Sequence, residues 1–228
     1  MSAPSTSTPP LVCWSCQDWP KGPHFCASCG KIQQLPRGID HFLFFGFARR
    51  LHLDEKEIER RFHELSWKLH PDNFVKATES ERALSLEQSS QLNDAYRTLR
   101  EPVARIEYLL ALEGMRKEGE QKQQAPPELL EEVFELNESL DELREAKSLG
   151  ADLGELRGRL EAAEKGFQEK LAEVDAQLDR AAGEWDSALD ANAAESTRRA
   201  LLAKMNELLN RRSYIRNLVR NVAHELAH

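Results

Sequence analysis

The stretch FHELSWKLHPDNF, residues 62–74, decides the fold of the middle of this chain. Its apolar residues recur at helical spacing as far as Leu69, and Pro71 then ends the helix, because proline disfavours the helical conformation of the residue before it. His70, Pro71 and Asp72 are therefore predicted to lie in a loop. Taken alone, they fit a simple helix stop, a metal site, a catalytic pair, or a stiff loop that presents an imidazole and a carboxylate to a cationic partner group. The metal and catalytic interpretations are the least favoured, because no further ligand, nucleophile or glycine-rich phosphate loop accompanies the three residues.

The residues on either side of this loop predict a helical hairpin. Asp54 is placed to cap the preceding helix, with Glu57 three residues later as the partner in a capping box. Pro102 suits the first turn of a further short helix. The aromatic segment DHFLFFGF, residues 40–47, can bury its rings against the hairpin. The helix after the loop carries its apolar residues at Leu92, Ala95 and Leu99.

Apolar residues, mostly leucine, recur with steps of four and three residues in three separate runs between residues 129 and 226, and they predict three long helices that pack as a bundle. No stretch shows strand alternation, apart from a possible small ribbon around the cysteines. The fold class is therefore all-α. The predicted organisation is a disordered tail over 1–11, a cysteine module over 12–35, a helical-hairpin domain over 40–114 and a three-helix bundle over 126–227.

Composition limits the classes of partner. The 228 residues are 40% hydrophobic, which is enough for real cores. Lysine and arginine number 31 against 39 acidic residues, so the net charge of -8 disfavours nucleic acid and favours a positively charged protein surface. No apolar run approaches the ~18 residues that span a membrane, and the N-terminus lacks the features of a signal or transit peptide. A cytosolic protein without membrane contact is expected.

Four cysteines lie within CWSCQDWPKGPHFCASCG, residues 13–30, as two Cys-x-x-Cys pairs nine residues apart. Four thiolates satisfy tetrahedral zinc with bonds of about 2.3 Å, so this spacing predicts a structural zinc site. An iron centre and a pair of disulfides remain alternatives. A filled coordination sphere leaves no position for a substrate, and nearby His24 is interpreted as a bystander. The predicted ligands are Cys13, Cys16, Cys26 and Cys29.

The first helix of the bundle is acidic, with eight acidic residues and one basic residue between Glu128 and Glu145. At about 100° per residue, Leu130 and Phe134 fall away from the apolar stripe of their own helix. Tyr214 falls off the stripe of the last helix by about 120°. These side chains fit a partner surface with an apolar centre and a charged rim, or else a contact between two domains.

Together these segments resemble a known family. The stretch 62–74, with DHFLFFGF before it and QLNDAYRTLREPVARIEYLL, residues 91–110, after it, resembles the J-domain of DnaJ-type co-chaperones. The acidic bundle and the cysteine module make it more similar to the HscB family, the J-proteins of iron–sulfur cluster assembly. The resemblance covers about residues 12–226 and is weakest over 147–200.

The resemblance implies docking on a DnaK-class, HscA-like chaperone and stimulation of its ATP hydrolysis, with no catalysis by this chain. It assigns the trigger to His70, Pro71 and Asp72 and the basic docking side chains to Arg61 and Lys68. Glu59 and Glu64 depart from the family pattern, because they interrupt the basic patch.

The resemblance also implies that the bundle binds the cluster scaffold IscU. The matching positions are Leu130, Phe134, Glu135, Glu138 and Tyr214. Glu131 departs from the pattern, because relatives have an apolar residue there. The predicted protein is thus an adaptor that delivers the scaffold to the chaperone, in the cytoplasm or, for a processed eukaryotic form, in the mitochondrial matrix. A general J-protein for unfolded clients and a zinc-thiolate redox or metal-transfer enzyme are the competing hypotheses.

Overall fold

The computed structural model describes residues 12–18, 22–116 and 127–227. Throughout these residues the regular structure is helical, so the all-α prediction is confirmed. The chain divides into two compact units, residues 1–105 and 106–228. The predicted disordered tail, residues 1–11, lies outside the described residues, and so does most of the predicted linker around residue 120.

The helices follow the predicted order. An isolated antiparallel bridge between Phe25 and Ile32 forms the small ribbon predicted around the cysteines. Two short 3₁₀ turns cover Pro71–Phe74 and Pro127–Leu129. The α-helices are α1 (His41–Phe45), α2 (Glu55–Leu69), α3 (Glu79–Arg100), α4 (Pro102–Leu112), α5 (Leu130–Leu149), α6 (Gly154–Asp190) and α7 (Glu195–Ala227).

The hairpin of the first unit forms as α2 and α3 bury matching apolar stripes. The Phe62 and Tyr96 rings stack across it, with centroids 4.1 Å apart. Helix α1 packs on both and buries three phenylalanines. The buried side chains of α2 and α3 include Ile58, Leu69, Leu92, Ala95 and Leu99.

The helix starts confirm one capping prediction and correct another. Asp54 is the N-cap of α2, but its side chain accepts from the backbone N–H of Lys56. Glu57 does not reach back to the cap, because its carboxylate is held by the guanidinium groups of Arg60 and Arg61 at 2.7 Å. The Arg60 and Arg61 donors lower the pKa of Glu57 to about 2. The prediction was right about the cap and wrong about the box.

The second unit holds α5, α6 and α7, the predicted three-helix bundle. Helix α5 ends at Gly150, which has φ +66° and donates its backbone N–H to the carbonyls of Ala146 and Lys147. Helix α7 packs along α6, and Arg144 of α5 pairs with Glu225 of α7 at 2.7 Å. The two compact units divide inside α4, whereas the sequence placed the end of the hairpin domain at residue 114, and the domain limits stay a prediction. Among the described residues, no helix is long and apolar enough to cross a membrane.

Candidate docking surfaces and metal site

His70, Pro71 and Asp72 form an exposed turn between α2 and α3. His70 is the C-cap of α2 and Pro71 opens the 3₁₀ turn, where its missing N–H costs no hydrogen bond. The side chains of His70 and Asp72 are 57% and 85% exposed. His70 Nδ1 accepts the backbone N–H of Asp72 at 3.3 Å, so the proton of the neutral imidazole lies on Nε2. The loop thus presents an imidazole and a carboxylate to solvent, as the sequence predicted.

Helix α3 holds both ends of this loop. The hydroxyls of Ser85 and Ser89 donate to the carbonyl of Leu69, directly before the turn, at 2.7 and 2.9 Å. Beyond the turn, the Arg82 guanidinium donates to the carbonyl of Ala77 at 3.1 Å. Asn73 also fixes the turn, since its side-chain amide donates to the carbonyl of Trp67 at 2.6 Å. The loop is exposed but is fixed by tertiary hydrogen bonds.

The two predicted basic side chains of α2, Arg61 and Lys68, already have partners within this unit. Lys68 pairs with Glu64 one turn earlier, at 2.6 Å. Because Lys68 donates to it, the pKa of the Glu64 carboxyl lies below its usual value. Glu64 therefore competes with any partner for the charge of Lys68, as the sequence departure suggested.

Arg61 joins α2 to the end of α1. Its Nη1 donates to the carbonyls of Phe45 and Gly46 at 2.7 and 2.9 Å, and its guanidinium lies 4.2 Å from the centroid of the Phe47 ring. Gly46 has φ +73°, and a Cβ atom at that position would lie 3.2 Å from Nη1 of Arg61. This role was not predicted from the sequence, because it depends on how α1 turns back on α2.

Trp67 was overlooked in the sequence. It lies three residues before His70 and is 75% exposed. Val75, on the other side of the turn, is also exposed. Trp67 and Val75 thus leave apolar surface in water on both sides of an ordered polar loop.

The predicted apolar pair on α5, Leu130 and Phe134, points into solvent. The side chains are 54% and 64% exposed, whereas Leu136, Leu140 and Leu143 of the same helix are buried. The helical arithmetic that separated the two sets is therefore confirmed. Tyr214 of α7 is half-buried rather than fully exposed.

A groove of about 430 Å³ runs between α5 and α6. Glu132 and Glu142 on its α5 wall are paired with Lys170 and Arg159 of α6. Glu135 and Glu138 line the same wall. Acidic groups next to two exposed apolar side chains give this face the chemistry of a site for a basic and apolar protein surface.

The four cysteines converge as predicted. Their sulfur atoms all lie within 4.8 Å of one another. The distance from Cys13 Sγ to Cys29 Sγ is 3.5 Å, and that from Cys16 Sγ to Cys26 Sγ is 3.7 Å. A tetrahedron with bonds of about 2.3 Å has edges of about 3.8 Å, so the donors fit a tetrahedral metal ion. A disulfide needs about 2.05 Å, so the four sulfurs are not arranged as two disulfides.

Two equivalent backbone loops place the sulfurs. In the first loop the N–H of Gln17 donates to the carbonyl of Cys13 at 2.9 Å, and in the second the N–H of Gly30 donates to that of Cys26 at 2.8 Å. Burial raises the pKa of Cys13, but backbone N–H donors from Cys16 and Ser15 and the Cys29 thiol outweigh it and bring the pKa to about 6. For Cys16 a backbone donor from Asp18 lowers the pKa, but burial and the neighbouring thiols raise it to about 12, so the first proton leaves the cluster from Cys13 and the metal must displace the others. Thiolates are the form that binds a metal.

His24 does not belong to the cluster of four cysteines, but both of its ring nitrogens have hydrogen-bond partners elsewhere in the unit. It is buried, its Nδ1 lies 2.9 Å from Oε1 of Gln88, and its Nε2 lies 2.8 Å from the carbonyl oxygen of Phe44. No sequence pattern indicated this contact, because the two partners lie 64 and 20 residues away along the chain.

A helical hairpin with His-Pro-Asp exposed at its tip, followed by a helical bundle, is the arrangement that the resemblance to J-domain co-chaperones predicts. Residues 125–222 match the family model described as the HSCB C-terminal oligomerisation domain. The chain is 34% identical over 152 residues to the co-chaperone protein HscB homologs of Vibrio parahaemolyticus and Vibrio vulnificus, and these matches cover 67% of this chain and 86% of each relative. The crystal structure of human co-chaperone protein HscB superposes with a TM-score of 0.60, covering 94% of this chain and 98% of that one at 24% identity, which supports the fold. The chain belongs to the HscB family of co-chaperones.

Proposed function

We propose that this co-chaperone stimulates the ATPase of a DnaK-class, HscA-like chaperone and brings to it an IscU-type iron–sulfur scaffold during cluster assembly. The observation that carries the proposal is the exposure of two chemically different surfaces on different compact units: the polar loop at His70 and the apolar pair of Leu130 and Phe134. The chain then acts as an adaptor, and ATP hydrolysis takes place on the chaperone. Linking both surfaces in one chain raises the effective concentration of one partner near the other.

The chaperone engages the turn in this proposal. The Nε2–H of His70 donates to an acceptor on the chaperone, and the carboxylate of Asp72 accepts from a cationic group. Pro71 keeps the two side chains at a fixed separation by restricting the backbone between them. Lys68 and Arg61 supply positive charge to the same face, and Trp67 supplies an apolar contact that the polar residues lack.

The scaffold engages α5. Leu130 and Phe134 enter an apolar depression of the scaffold, while Glu135 and Glu138 pair with basic side chains around it. Tyr214 contributes from α7 through the exposed part of its ring. Glu131, beside Leu130, narrows the apolar area on that edge, so we assign the main contact to the side of Phe134.

Zinc is the metal that we propose for the four cysteines. All four positions are protein ligands, so the metal stabilises the local fold and binds no substrate. Elemental analysis of the purified chain should give one zinc per chain. One iron per chain, or a thiol titration that finds no free thiol after denaturation in chelator, would contradict this assignment.

The proposed domain limits are those read from the sequence: a cysteine module over 12–35, a J-domain over 40–114 and a scaffold-binding bundle over 126–227. The proposed place of action is the cytoplasm or the mitochondrial matrix, since both contain ATP and chaperones of this class.

Steady-state ATP turnover of a DnaK-class chaperone tests the function as a whole. We expect the chain to raise turnover alone, and an IscU-type scaffold to raise it further when both are present. If a denatured model client raises ATP turnover as much as the scaffold does, the alternative of a general co-chaperone is favoured. No increase with the chain would remove the proposal.

A further inference from the structure

A polar network joins the cysteine module to α3, the helix that holds the His-Pro-Asp loop. Gln88 of α3 lies at its centre: its Oε1 is 2.9 Å from His24 Nδ1, and its Nε2 donates to the carbonyl of Gln33 at 2.6 Å. His24, Gln33 and Gln88 are all buried. Buried polar groups are costly unless they are paired, so this network fixes one arrangement of the module on the helix.

Lys31 makes the second link, close to the metal ligands. Its Nζ pairs with Oε1 of Glu81 at 2.8 Å, and the Glu81 side chain is only 4% exposed. The carbonyl of Lys31 accepts the N–H of Cys26 at 2.9 Å, so the loop of the second cysteine pair fixes the position of this lysine. The ion pair is therefore held from the module side.

Glu81 also closes the start of α3. Its Oε2 accepts from the backbone N–H and the hydroxyl of Thr78 at 3.1 and 2.9 Å, while its own N–H donates to Thr78 Oγ at 3.3 Å. This is a complete capping box. One oxygen of the carboxylate thus faces the module and the other faces the helix N-terminus, where the loop that begins at His70 ends.

The contacts of α3 with the cysteine module and its contact with the start of the His-Pro-Asp loop come from one face of the helix. Glu81, Ser85 and Gln88 are spaced by four and three residues, so they share a face, and all three are buried. Ser85 holds the carbonyl of Leu69 before the turn, and Glu81 and Gln88 on either side of it hold the cysteine module. The module and the loop are anchored within two turns of the same helix.

From these contacts we propose that the cysteine module braces the His-Pro-Asp loop and that Lys31 is a positioning residue for it, acting through Glu81 and Thr78. The effect on loop order depends on the contacts above alone, while the effect on ATPase stimulation rests on the proposed function. Without the ammonium group, the carboxylate of Glu81 loses its partner, the start of α3 opens more often, and the loop samples other conformations.

The test compares Lys31→Met, which keeps the length of the side chain but not its charge, with Lys31→Arg, which restores the charge. Lys204→Met is the matched control, because Lys204 pairs with Glu184 at the same 2.8 Å distance in the bundle. Amide hydrogen exchange of the full chain is measured at residues 70–82, relative to amides of α6. Stimulation of a DnaK-class ATPase is measured in parallel, as maximal rate and half-saturating concentration.

We expect Lys31→Met to speed exchange at 70–82 by at least about threefold and to lower the maximal stimulation by about two- to threefold, with Lys31→Arg close to the original chain. Lys204→Met should change neither quantity. Unchanged exchange in Lys31→Met, or an equal change in Lys204→Met, would overturn the brace. If exchange responds but His70→Gln still stimulates the ATPase fully, the brace stands and the proposed function fails.

Discussion

The two exposed surfaces of this co-chaperone are built in different ways. The loop at His70 is a short 3₁₀ turn whose flanking residues are tied to α3 by Ser85, Ser89 and Arg82. The apolar pair of Leu130 and Phe134 needs no such ties, because a regular helix alone directs both side chains outward. The loop therefore depends on side chains of α3 that lie up to 20 residues away along the chain, and the helical surface depends on local periodicity. Substitutions in the contacts that hold the loop should therefore change its conformation, whereas substitutions of Leu130 and Phe134 should remove contact area and leave the helix intact.

The largest expected effect is that of His70→Gln. Glutamine keeps the polarity but loses the ring that accepts the Asp72 N–H and carries the Nε2 donor, so stimulation of a DnaK-class ATPase should fall to background. Circular dichroism should show unchanged helix content. His63→Gln, on the exposed face of α2, is the control and should stimulate normally. Full stimulation by His70→Gln would refute the role of the loop.

The double change Leu130→Ala with Phe134→Ala should come next. Central apolar anchors cost about 2 kcal/mol or more each when truncated, so affinity for an IscU-type scaffold should fall by roughly 100- to 1,000-fold by calorimetry, the larger figure applying when the two losses add. The melting temperature should shift by no more than a few degrees, because both side chains are exposed. Leu149→Ala, at the exposed end of the same helix, should leave the affinity unchanged. A large loss of thermal stability would instead assign the pair to a core.

Trp67→Ala should have an intermediate effect that separates affinity from the trigger itself. The indole adds apolar contact beside the loop but is not one of the polar groups at the turn, so the half-saturating concentration of the chain should rise by about tenfold with maximal stimulation retained. Leu43→Ala, a similarly exposed apolar residue on α1, is the control. Equal effects of the two variants would show that the indole is not part of the docking surface.

Glu64→Gln should have the smallest effect, and in the opposite direction. Exposed pairs one turn apart contribute roughly 0.3–0.5 kcal/mol, so the freed Lys68 should lower the half-saturating concentration by about twofold. Glu59→Gln removes the same charge without freeing a lysine. Titration of ATPase stimulation at low ionic strength distinguishes the two variants, and equal improvement in both would mean that net charge alone matters.

The parts of the account that follow local rules could be predicted from the sequence. The helix stop at Pro71, the exposure of Leu130 and Phe134 and the convergence of the four cysteines each follow from spacing or from a single residue type. The capping box was placed at the wrong helix, because Glu57 is held by two neighbouring arginines. Thr78 and Glu81, which do form a box, have the Thr-x-x-Glu spacing and are followed by Ala83, Leu84 and Leu86, so the signal was present in the sequence and was overlooked.

The contacts that support the loop could not be predicted in the same way. His24 and Gln88 are polar residues 64 positions apart, and nothing in either neighbourhood indicates that they are buried together. Arg61 was recognised as a basic residue of α2, but its contacts with Phe45 and Gly46 depend on the turn after α1. Side chains whose role depends on a distant segment give no periodic signal.

The central claim is that one chain carries two docking surfaces that act independently. The most direct test measures each of the two main variants in the assay that reports on the other surface. Scaffold affinity is measured for His70→Gln, and ATPase stimulation without scaffold is measured for the Leu130→Ala, Phe134→Ala variant. We expect both quantities to stay within about twofold of the original chain, because sites without shared partners behave additively. Loss of scaffold binding in His70→Gln, or loss of stimulation in the double variant, would contradict the account.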